Sequence, residues 1–333
     1  MKKIYVICPA YYKTGGTELL HQLVFVLNSH GYSSEIVYPN ATSEQNINPA
    51  FKKYCSDYAR LSDVKNKDAL FVISEIQTNL LLTSLLPQKC VIWWESVDNY
   101  YTTFSMALHQ RGLLRAINQL RKNVFFKANR ANFSILKMAQ GHLCQSMYAF
   151  DYLRKHKITN NVYFLKDYIN DDYFDKSGLN LSKKENIILY NPKKGKKITT
   201  KIRRKFADFH FVPLINMTNE QVRENLEKAK VYIDFGNHPG MDRFPREAVT
   251  MHCCVITNRI GSANYQEDVP IDDKYKFDDY HLDYKLLRKT IEYCFDNYLQ
   301  TDKEFDSYRS FVASQKEEFI KDTKEVFAKF LRE

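Results

Sequence analysis

Short apolar runs alternate with segments of helical spacing along the first half of the chain. Thr17 to His30 places apolar residues at 19, 20, 23, 24 and 27, which is one face of a helix, and Gly31 suits a C-terminal stop. Gln77 to Leu86 is a second helical run between two strand-like runs. Buried strands separated by helices are typical of a parallel sheet with helices on both faces. The predicted strands are 4–9, 34–38, 69–73, 90–94, 143–145 and 162–165.

The same pattern restarts after a polar stretch from Lys166 to Asn186, where we place a domain boundary. Thr218 and Gln221 have the spacing of a helix capping box, which predicts a helix that runs to Lys228. The second half therefore also alternates between strands and helices. Its predicted strands are 187–190, 209–214, 231–235 and 254–257, and its predicted helices are 198–207, 218–228, 245–252, 284–299 and 305–331.

Two α/β halves of Rossmann type and similar size predict two domains that face a cleft. The length of 333 residues fits two domains better than one core. Ligands of such sheets bind outside the carboxyl ends of the strands, so functional residues are expected in the loops that follow strands. We place the first domain at 1–168, the second at 183–312, and a final helix at 313–333.

Composition narrows the class of protein. No apolar run approaches the roughly 20 residues that span a bilayer. Ile4 to Ala10 follows two lysines and superficially resembles a short signal peptide, but no small-residue cleavage site follows, so we interpret it as a buried strand. The seven cysteines include no C-x-x-C pair, which indicates reduced thiols in a cytoplasmic protein. The nine histidines have no metal-ligand spacing, so we expect no metal.

Positive charge is concentrated in two zones of a chain with a net charge of +10. No acidic residue lies between Asp98 and Asp151, and none lies among the basic residues from Lys193 to Lys205. Such zones attract phosphates, nucleic acid or an anionic membrane surface. A solvated surface without a partner is the alternative interpretation.

One of these zones has the pattern of a membrane-surface helix. Leucine and isoleucine recur at helical spacing between Arg111 and Arg130, with basic residues among them. A helix of this kind can lie on an anionic bilayer with its apolar side down, although the apolar side could equally pack on the domain core. The basic residues predicted to face the membrane are Arg111, Arg115, Arg121 and Lys122.

Two loops that follow predicted strands suit anions. Gly15, Gly16 and Thr17 open the first predicted helix, where free backbone amides favour an anion or a carbonyl oxygen, although a plain tight turn is the alternative. Lys193 and Lys194 lie in a basic loop after strand 187–190 and could hold a diphosphate as point charges, unless that loop is only an exposed turn.

The segment from Gly236 to Ala248 is the richest in chemically active side chains. It follows strand 231–235, and Pro245 suits the first turn of the next helix. Glu247 in that turn could accept hydrogen bonds from sugar hydroxyls, and Arg243 and Arg246 could meet phosphate. His238 and Asp242 are the other candidate ligand-binding residues of this loop.

A fourth segment joins carboxylates to aromatic rings at the end of strand 90–94. Aromatic rings stack on sugar faces, and a carboxylate can serve as a general base, so the segment resembles a polyol site. Asp98 is our first candidate for the base and Glu95 the second, and ordinary packing at a strand end is the alternative.

Together these motifs resemble those of GT-B glycosyltransferases, in particular the family-4-like group of bacterial surface-polysaccharide enzymes. The Gly-Gly-Thr segment is similar to the acceptor-side glycine loop of that group, and 239–248 falls where the group has its E-x7-E motif. The resemblance implies that Glu247 holds the nucleotide ribose and that Lys194 meets the donor diphosphate. It also implies that the last helix returns to the first domain, which would bind the acceptor.

The chain departs from the family pattern at two positions. Pro239 stands at the first glutamate, so that role passes to His238 or Asp242 or is absent. The arginine usual before the Lys-Gly pair is missing, and Arg243 is the candidate replacement. No Asp-x-Asp triplet occurs, which argues against the metal-dependent GT-A class.

We therefore expect a metal-independent glycosyltransferase that uses a nucleotide-sugar as co-substrate and needs no cofactor. Its acceptor would be a saccharide or lipid-linked saccharide of a surface polysaccharide or glycolipid, and an anionic membrane surface at the inner face is a further partner. A GT-B-fold sugar-nucleotide epimerase and a basic nucleic-acid-binding protein are the alternatives. We expect no nucleic acid partner, because no known binding motif occurs. The donor sugar, the acceptor and the stereochemical course stay open.

Overall fold

The computed structural model describes residues 2–10, 13–39, 41, 47–64, 68–102, 105, 107–108 and 112–332, with the backbone alone for 122–129. Within these residues the chain forms two compact units. The first comprises 1–101, 124–167 and 316–333, and the second comprises 102–123 and 168–315. The sequence-based bounds assign 102–123 to the first domain, whereas the structure groups these residues with the second unit.

The first unit is built on a seven-stranded sheet in which every described strand pair is parallel. Its central strands are buried along their whole length because helices cover both faces of the sheet. The strand order is β3-β2-β1-β4-β5-β6-β7, so the direction of winding reverses between β1 and β4. These strands are β1 Ile4–Ile7, β2 Ser34–Tyr38, β3 Ala59–Arg60, β4 Leu70–Ser74, β5 Cys90–Trp94, β6 Gly141–Cys144 and β7 Val162–Phe164.

The α-helices described up to residue 155 vary from one turn to five. The first is fixed by a capping box, in which the side chains of Thr14 and Thr17 bond each other's backbone N–H. The helices are α1 Gly15–Ser29, α2 Leu80–Thr83, α3 Val97–Tyr100, α4 Leu113–Asn129, α5 Phe133–Leu136 and α6 Met147–Lys155.

The second unit contains a five-stranded parallel sheet with the order β12-β11-β10-β8-β9. The direction of winding reverses between β8 and β10. The strands are β8 Glu185–Tyr190, β9 His210–Pro213, β10 Ala229–Asp234, β11 Cys254–Asn258 and β12 Lys276–Phe277. The helices from residue 196 on are α7 Lys196–Lys205, α8 Asn219–Lys228, α9 Arg243–Thr250, α10 Tyr284–Asp296, α11 Tyr298–Lys303 and α12 Asp306–Arg332.

The last helix, α12, begins among the residues of the second unit and ends in the first. Phe319 stacks on Trp93 with 6.2 Å between ring centroids, and the backbone carbonyl of Phe330 accepts a hydrogen bond from Gln140 at 2.8 Å. A β-carbon on Gly141 would overlap the ring of Phe330, so a glycine at the start of β6 allows this close packing. The predicted return of the final helix to the first domain is confirmed.

The predicted α/β class with two parallel sheets is also confirmed. The sequence missed β3 and β12, which are edge strands of two residues each. The predicted helix 77–86 is reduced to α2, flanked by single 3₁₀ turns. All seven cysteines are free thiols, and all but Cys55 are buried.

Candidate functional site

The second unit places two polar loops at the point where its sheet reverses direction. Lys194 follows β8 and the segment from Phe235 to Asp242 follows β10, and these two strands are direct neighbours. A crevice forms at such a point because the flanking loops turn to opposite faces of the sheet, and ligands of open α/β sheets bind there. The two richest loops of the sequence therefore meet at one edge.

Glycines allow these loops to approach each other. Gly195 has φ +53°, and a β-carbon there would overlap the carbonyl oxygen of Phe235 and lie 2.9 Å from the nitrogen of Gly236. Gly261 has φ +59° and packs in the same way against the backbone of His238. Ser262 then anchors that loop, because its N–H bonds the carbonyl of His238 at 2.8 Å.

Four charged side chains form a continuous chain at this edge of the sheet. The Lys194 ammonium contacts the Asp242 carboxylate. The other oxygen of Asp242 lies 3.0 Å from Nδ1 of His238, whose Nε2 lies 3.8 Å from Oδ1 of Asp234. Asp234 is held in turn by the hydroxyl of Tyr232 and the N–H of Gly236, both at 3.0 Å. Positive and negative groups thus alternate from the partly exposed Lys194 inward.

The electrostatics of this chain favour its charged forms. Burial alone would raise the pKa of Asp242, but the Lys194 ammonium and the His238 ring outweigh it and lower that pKa to about 2. Burial would lower the pKa of His238, but the carboxylates of Asp234 and Asp242 raise it above its ordinary value. His238 is therefore protonated over a wider pH range than a free histidine.

The two aspartates and the histidine of this chain of charges could also hold a metal ion. Asp234, His238 and Asp242 offer ligand atoms within 4.8 Å of one another. Oδ2 of Asp242 faces Nδ1 of His238 at 3.0 Å, so a cation between them would compete with a proton on His238.

Glu247 lies on α9, directly after this loop. The helix starts at Arg243, two residues earlier than predicted, so Glu247 sits at its fifth position rather than in its first turn. The hydroxyl of Tyr173 donates a hydrogen bond to the Glu247 carboxylate, and Arg243 is close enough to lower the pKa of that tyrosine, although burial and Glu247 raise it overall. Glu247 is 8% exposed and is thus held in one place.

Sequence reasoning did not find Tyr173, because the segment that carries it was interpreted as a polar domain boundary. It also missed Asn258, whose side chain donates to the carbonyl of Gly236 at 2.7 Å and to Asp279 at 3.0 Å. Tyr173 thus holds the Glu247 side chain, and Asn258 holds the backbone of the loop after β10. The one sequence signal is that Asn258 directly follows the predicted strand 254–257, which is weak without the strand order.

Arg246 has a different role from the phosphate contact predicted for it. It is 1% exposed, and its guanidinium donates to the carbonyl of Met241 at 2.8 Å, to that of Asp242 at 3.2 Å and to Gln315 at 2.8 Å. Arg246 therefore fixes the loop, and we leave it out of the donor contacts. Lys193 is exposed, and its backbone N–H bonds the Asn191 side chain at 3.0 Å.

The first unit also has a switch point, between β1 and β4, and the glycine loop lies beside it. Gly15 and Gly16 form the first turn of α1, and Thr17 is 5% exposed within the capping box. A β-carbon on Gly16 would overlap Oε2 of Glu95, so the carboxylate of Glu95 lies against this glycine turn. The glycine loop and the polyol segment are thus neighbours.

The two candidate bases differ in exposure and in their contacts. Asp98 is 4% exposed, and its carboxylate accepts a hydrogen bond from the Tyr148 hydroxyl at 3.0 Å. Glu95 is partly exposed and adjoins the glycine turn. Of the two residues, Glu95 is the more exposed.

The predicted membrane helix corresponds to α4. Its apolar side is exposed rather than packed: Leu113, Leu114, Ile117 and Leu120 are 59%, 84%, 42% and 46% exposed. The basic side chains of Arg115 and Arg121 are exposed on the same helix. Arg111 and the side chain of Lys122 lie outside the described residues. No helix in the described part of the chain is long and apolar enough to cross a membrane.

Solved structures share this architecture over nearly the whole chain. Sucrose-phosphate synthase from Thermosynechococcus elongatus is 13% identical, with 100% of both chains covered and a TM-score of 0.66. Anabaena HepE in complex with UDP and glucose is 9% identical over 100% of both chains, with a TM-score of 0.61. WaaG, a glycosyltransferase involved in lipopolysaccharide biosynthesis, is 12% identical, with 97% of this chain and 98% of WaaG covered and a TM-score of 0.58.

These likenesses define the fold class. The chain has the GT-B fold, as the motifs of its sequence suggested. No family model matches the chain, and no curated protein matches it. At identities of 9–13% the comparisons establish the fold, and the chemistry has to be argued from the site.

Proposed function

We propose that this chain is a glycosyltransferase that binds a nucleotide-sugar donor in its second unit. The observation that carries the proposal is the placement of Lys194 and Glu247 after β8 and β10, the two strands that flank the switch point. A cation suits the donor diphosphate, and a carboxylate suits the ribose hydroxyls. Structural neighbours with bound UDP support a uridine diphosphate sugar as the first donor to test.

The geometry assigns roles to the residues of this site. Lys194 contacts Asp242 in the free protein, so a donor diphosphate would compete with that carboxylate for the ammonium. Arg243, in the first turn of α9, would be the second cation and take the place of the arginine absent before Lys194. These two cations would stabilise the charge that grows on the diphosphate as the bond to the sugar breaks.

Glu247 provides the decisive test of the donor site. As a ribose ligand held by Tyr173, it should contribute about 1.5–3 kcal/mol to nucleotide binding, the usual range for hydrogen bonds to a charged group. Glu247→Ala should therefore weaken UDP binding by roughly 10- to 150-fold in calorimetry. Glu247→Gln, which keeps one acceptor oxygen, should lose less.

Glu292 supplies a matched control. It is a helical glutamate of the same unit that pairs with Arg288 at i, i+4, with 2.8 Å between Nε and Oε1, and 43% of its side chain is exposed. Glu292→Ala should leave UDP affinity unchanged. Equal affinities for the wild type, Glu247→Ala and Glu292→Ala would show that the donor site is misplaced.

The finer assignment is a metal-independent transfer to a saccharide or lipid-linked saccharide in surface polysaccharide or glycolipid synthesis. Lys194 and Arg243 supply positive charge where other enzymes use a cation, which supports metal independence. The structural likeness to WaaG supports a polysaccharide role. Transfer that persists in excess EDTA, with a product that contains both sugar and acceptor, would support this assignment. Turnover of the donor without any acceptor would favour an epimerase instead.

We further propose that α4 delivers the enzyme to an anionic membrane surface. Its apolar residues are exposed beside arginines, in a stretch of sequence without acids. Leu114→Asn should reduce co-sedimentation with anionic vesicles. Leu299→Asn, at a leucine that is 57% exposed on α11, should have no effect. Equal sedimentation with neutral and anionic vesicles, or none with either, would contradict the proposal.

A further inference from the structure

A buried carboxylate that the sequence analysis did not single out lies at the switch point of the first unit. Glu75 directly follows β4, the strand that neighbours both β1 and β5. The glycine turn follows β1 and Glu95 follows β5, so Glu75 stands between the two. Its side chain is 2% exposed, which removes it from direct contact with a ligand.

Glu75 binds the backbone of the segment that carries Glu95. Its Oε2 accepts a hydrogen bond from the Glu95 N–H at 3.0 Å, and the N–H of Ser96 and its own N–H bond the same carboxylate. These bonds fix the chain where it leaves β5. The side chain of Glu95 projects from this fixed backbone onto Gly16, where a β-carbon would overlap Oε2 of Glu95.

Charged and titratable groups surround Glu75 on several elements. Burial raises its pKa to about 7, although the three backbone N–H groups and the positive charge of Arg130 act to lower it. Arg130 lies 5.5 Å over the ring of Tyr100 and also interacts with Tyr152. Further titratable groups are Glu95, which interacts with Cys8, and Asp98, which interacts with Tyr152 and is bonded to Tyr148.

We propose that Glu75 is a positioning residue that holds Glu95 against the glycine turn, where Glu95 accepts a hydrogen bond from a hydroxyl of the sugar acceptor. This inference rests on the proposed glycosyltransferase function and adds a residue to its acceptor side. Glu75 touches no substrate. Its ionised carboxylate accepts three N–H bonds, and protonation of one oxygen weakens that set and loosens the Glu95 backbone.

The contact can be tested without any substrate, by the amide resonances of the ¹⁵N-labelled full chain. The N–H protons of Glu95 and Ser96 should shift with pH, with a midpoint near the pKa of about 7 given by burial of Glu75. In Glu75→Gln these two amides should show no such titration. Glu35→Gln is the matched control, because Glu35 lies at the amino end of β2, whereas Glu75 and Glu95 follow the carboxyl ends of their strands. Glu35 pairs with Lys3 at 3.4 Å and is 31% exposed. In Glu35→Gln the amides of Glu95 and Ser96 should shift with pH as they do in the wild type.

The positioning role is tested by kinetics with a nucleotide-sugar and an acceptor sugar. Glu75→Ala should raise the KM for the acceptor by about 10-fold, the loss of one hydrogen bond to a charged group, while UDP affinity stays unchanged. Glu75→Gln should keep the acceptor KM close to that of the wild type. It should, however, flatten the pH dependence of this KM around pH 7. If Glu75 contributed only to stability, Glu75→Ala and Glu75→Gln would not differ in this way in the acceptor KM and its pH dependence.

The outcomes distinguish this inference from the proposed function. Unchanged amide shifts of Glu95 and Ser96 across pH 5.5–8.5, or an unchanged acceptor KM and pH profile in both Glu75 variants, would overturn it. If UDP binds neither the wild type nor Glu35→Gln, the proposed function is overturned, irrespective of how the amide shifts depend on pH. Titration of the two amides, together with a rise in the acceptor KM and an unchanged UDP affinity, would support the inference.

Discussion

The backbone contact at Gly195 offers a direct test of how the loops of the proposed donor site are built. Gly195 adopts φ +53° and ψ +28° and precedes α7, directly after Lys194. A β-carbon would overlap the carbonyl oxygen of Phe235 and lie 2.5 Å from its carbonyl carbon and 2.9 Å from the nitrogen of Gly236. Gly195→Ala therefore forces one loop away from the other.

The magnitude follows from two separate costs. The left-handed backbone conformation costs an alanine about 1–2 kcal/mol more than a glycine. Carbon atoms prefer about 3.5–4.0 Å between centres, and relief of the overlap requires a backbone shift that costs about 1–3 kcal/mol by comparison with overpacked cores. Gly195→Ala should therefore lower the free energy of unfolding of the second unit by about 2–5 kcal/mol. UDP affinity should fall as well, because Lys194 moves with the loop.

The assay uses the positions of the two tryptophans. Trp93 and Trp94 both lie in the first unit, so their fluorescence follows urea unfolding of that unit, whereas far-UV circular dichroism follows both units. The loss of stability should appear by circular dichroism and leave the fluorescence transition in place. Gly178→Ala is the control in the same unit, because a β-carbon there would lie 3.9 Å from Glu227 in ordinary contact. A Gly195→Ala transition within about 0.5 kcal/mol of that control would refute the reasoning.

Three further changes test the charged groups. Asp242→Asn should lower stability at pH 7 by about 2 kcal/mol, because a pKa of about 2 against an ordinary 3.8 stabilises the fold above pH 3.8, and the difference should vanish in urea titrations as pH falls through 2. The raised pKa of Glu75, about 7 against 4.5, should make the first unit lose about 3 kcal/mol of stability between pH 4.5 and 7, and tryptophan fluorescence should show no such loss in Glu75→Gln. Glu95→Gln should lower acceptor kcat/KM more than Asp98→Asn does, and the opposite ranking in steady-state kinetics would restore Asp98 as the acceptor-side carboxylate.

Local signals in the sequence predicted the framework well. The strands 34–38 and 90–94 have the predicted bounds, and the capping box of Thr218 and Gln221 forms as its spacing indicates. Apolar runs and caps depend on neighbours along the chain, so they can be read without knowledge of the fold. The short edge strands β3 and β12 carry too few residues to leave such a pattern.

The supporting residues of both sites were harder to predict because they depend on strand order. Glu75 is a single acid after a strand, and only the proximity of β4 to β5 gives it a role. Tyr173 acts through a residue 74 positions away, from a segment that resembled a linker. Arg246 showed the opposite error: the sequence places an arginine in the first turn of a predicted helix, next to polar residues, and only the packing of α9 reveals that it is buried.

The path of α12 has a consequence for the order in which the protein can fold during synthesis. Residues 316–332 complete the first unit, but the ribosome makes them only after the whole of 168–315. At about 5–20 residues per second, the surface around Trp93 and Gly141 waits roughly 10–30 seconds for Phe319 and Phe330 to cover it. During that interval the nascent first unit exposes an apolar surface that a chaperone can bind.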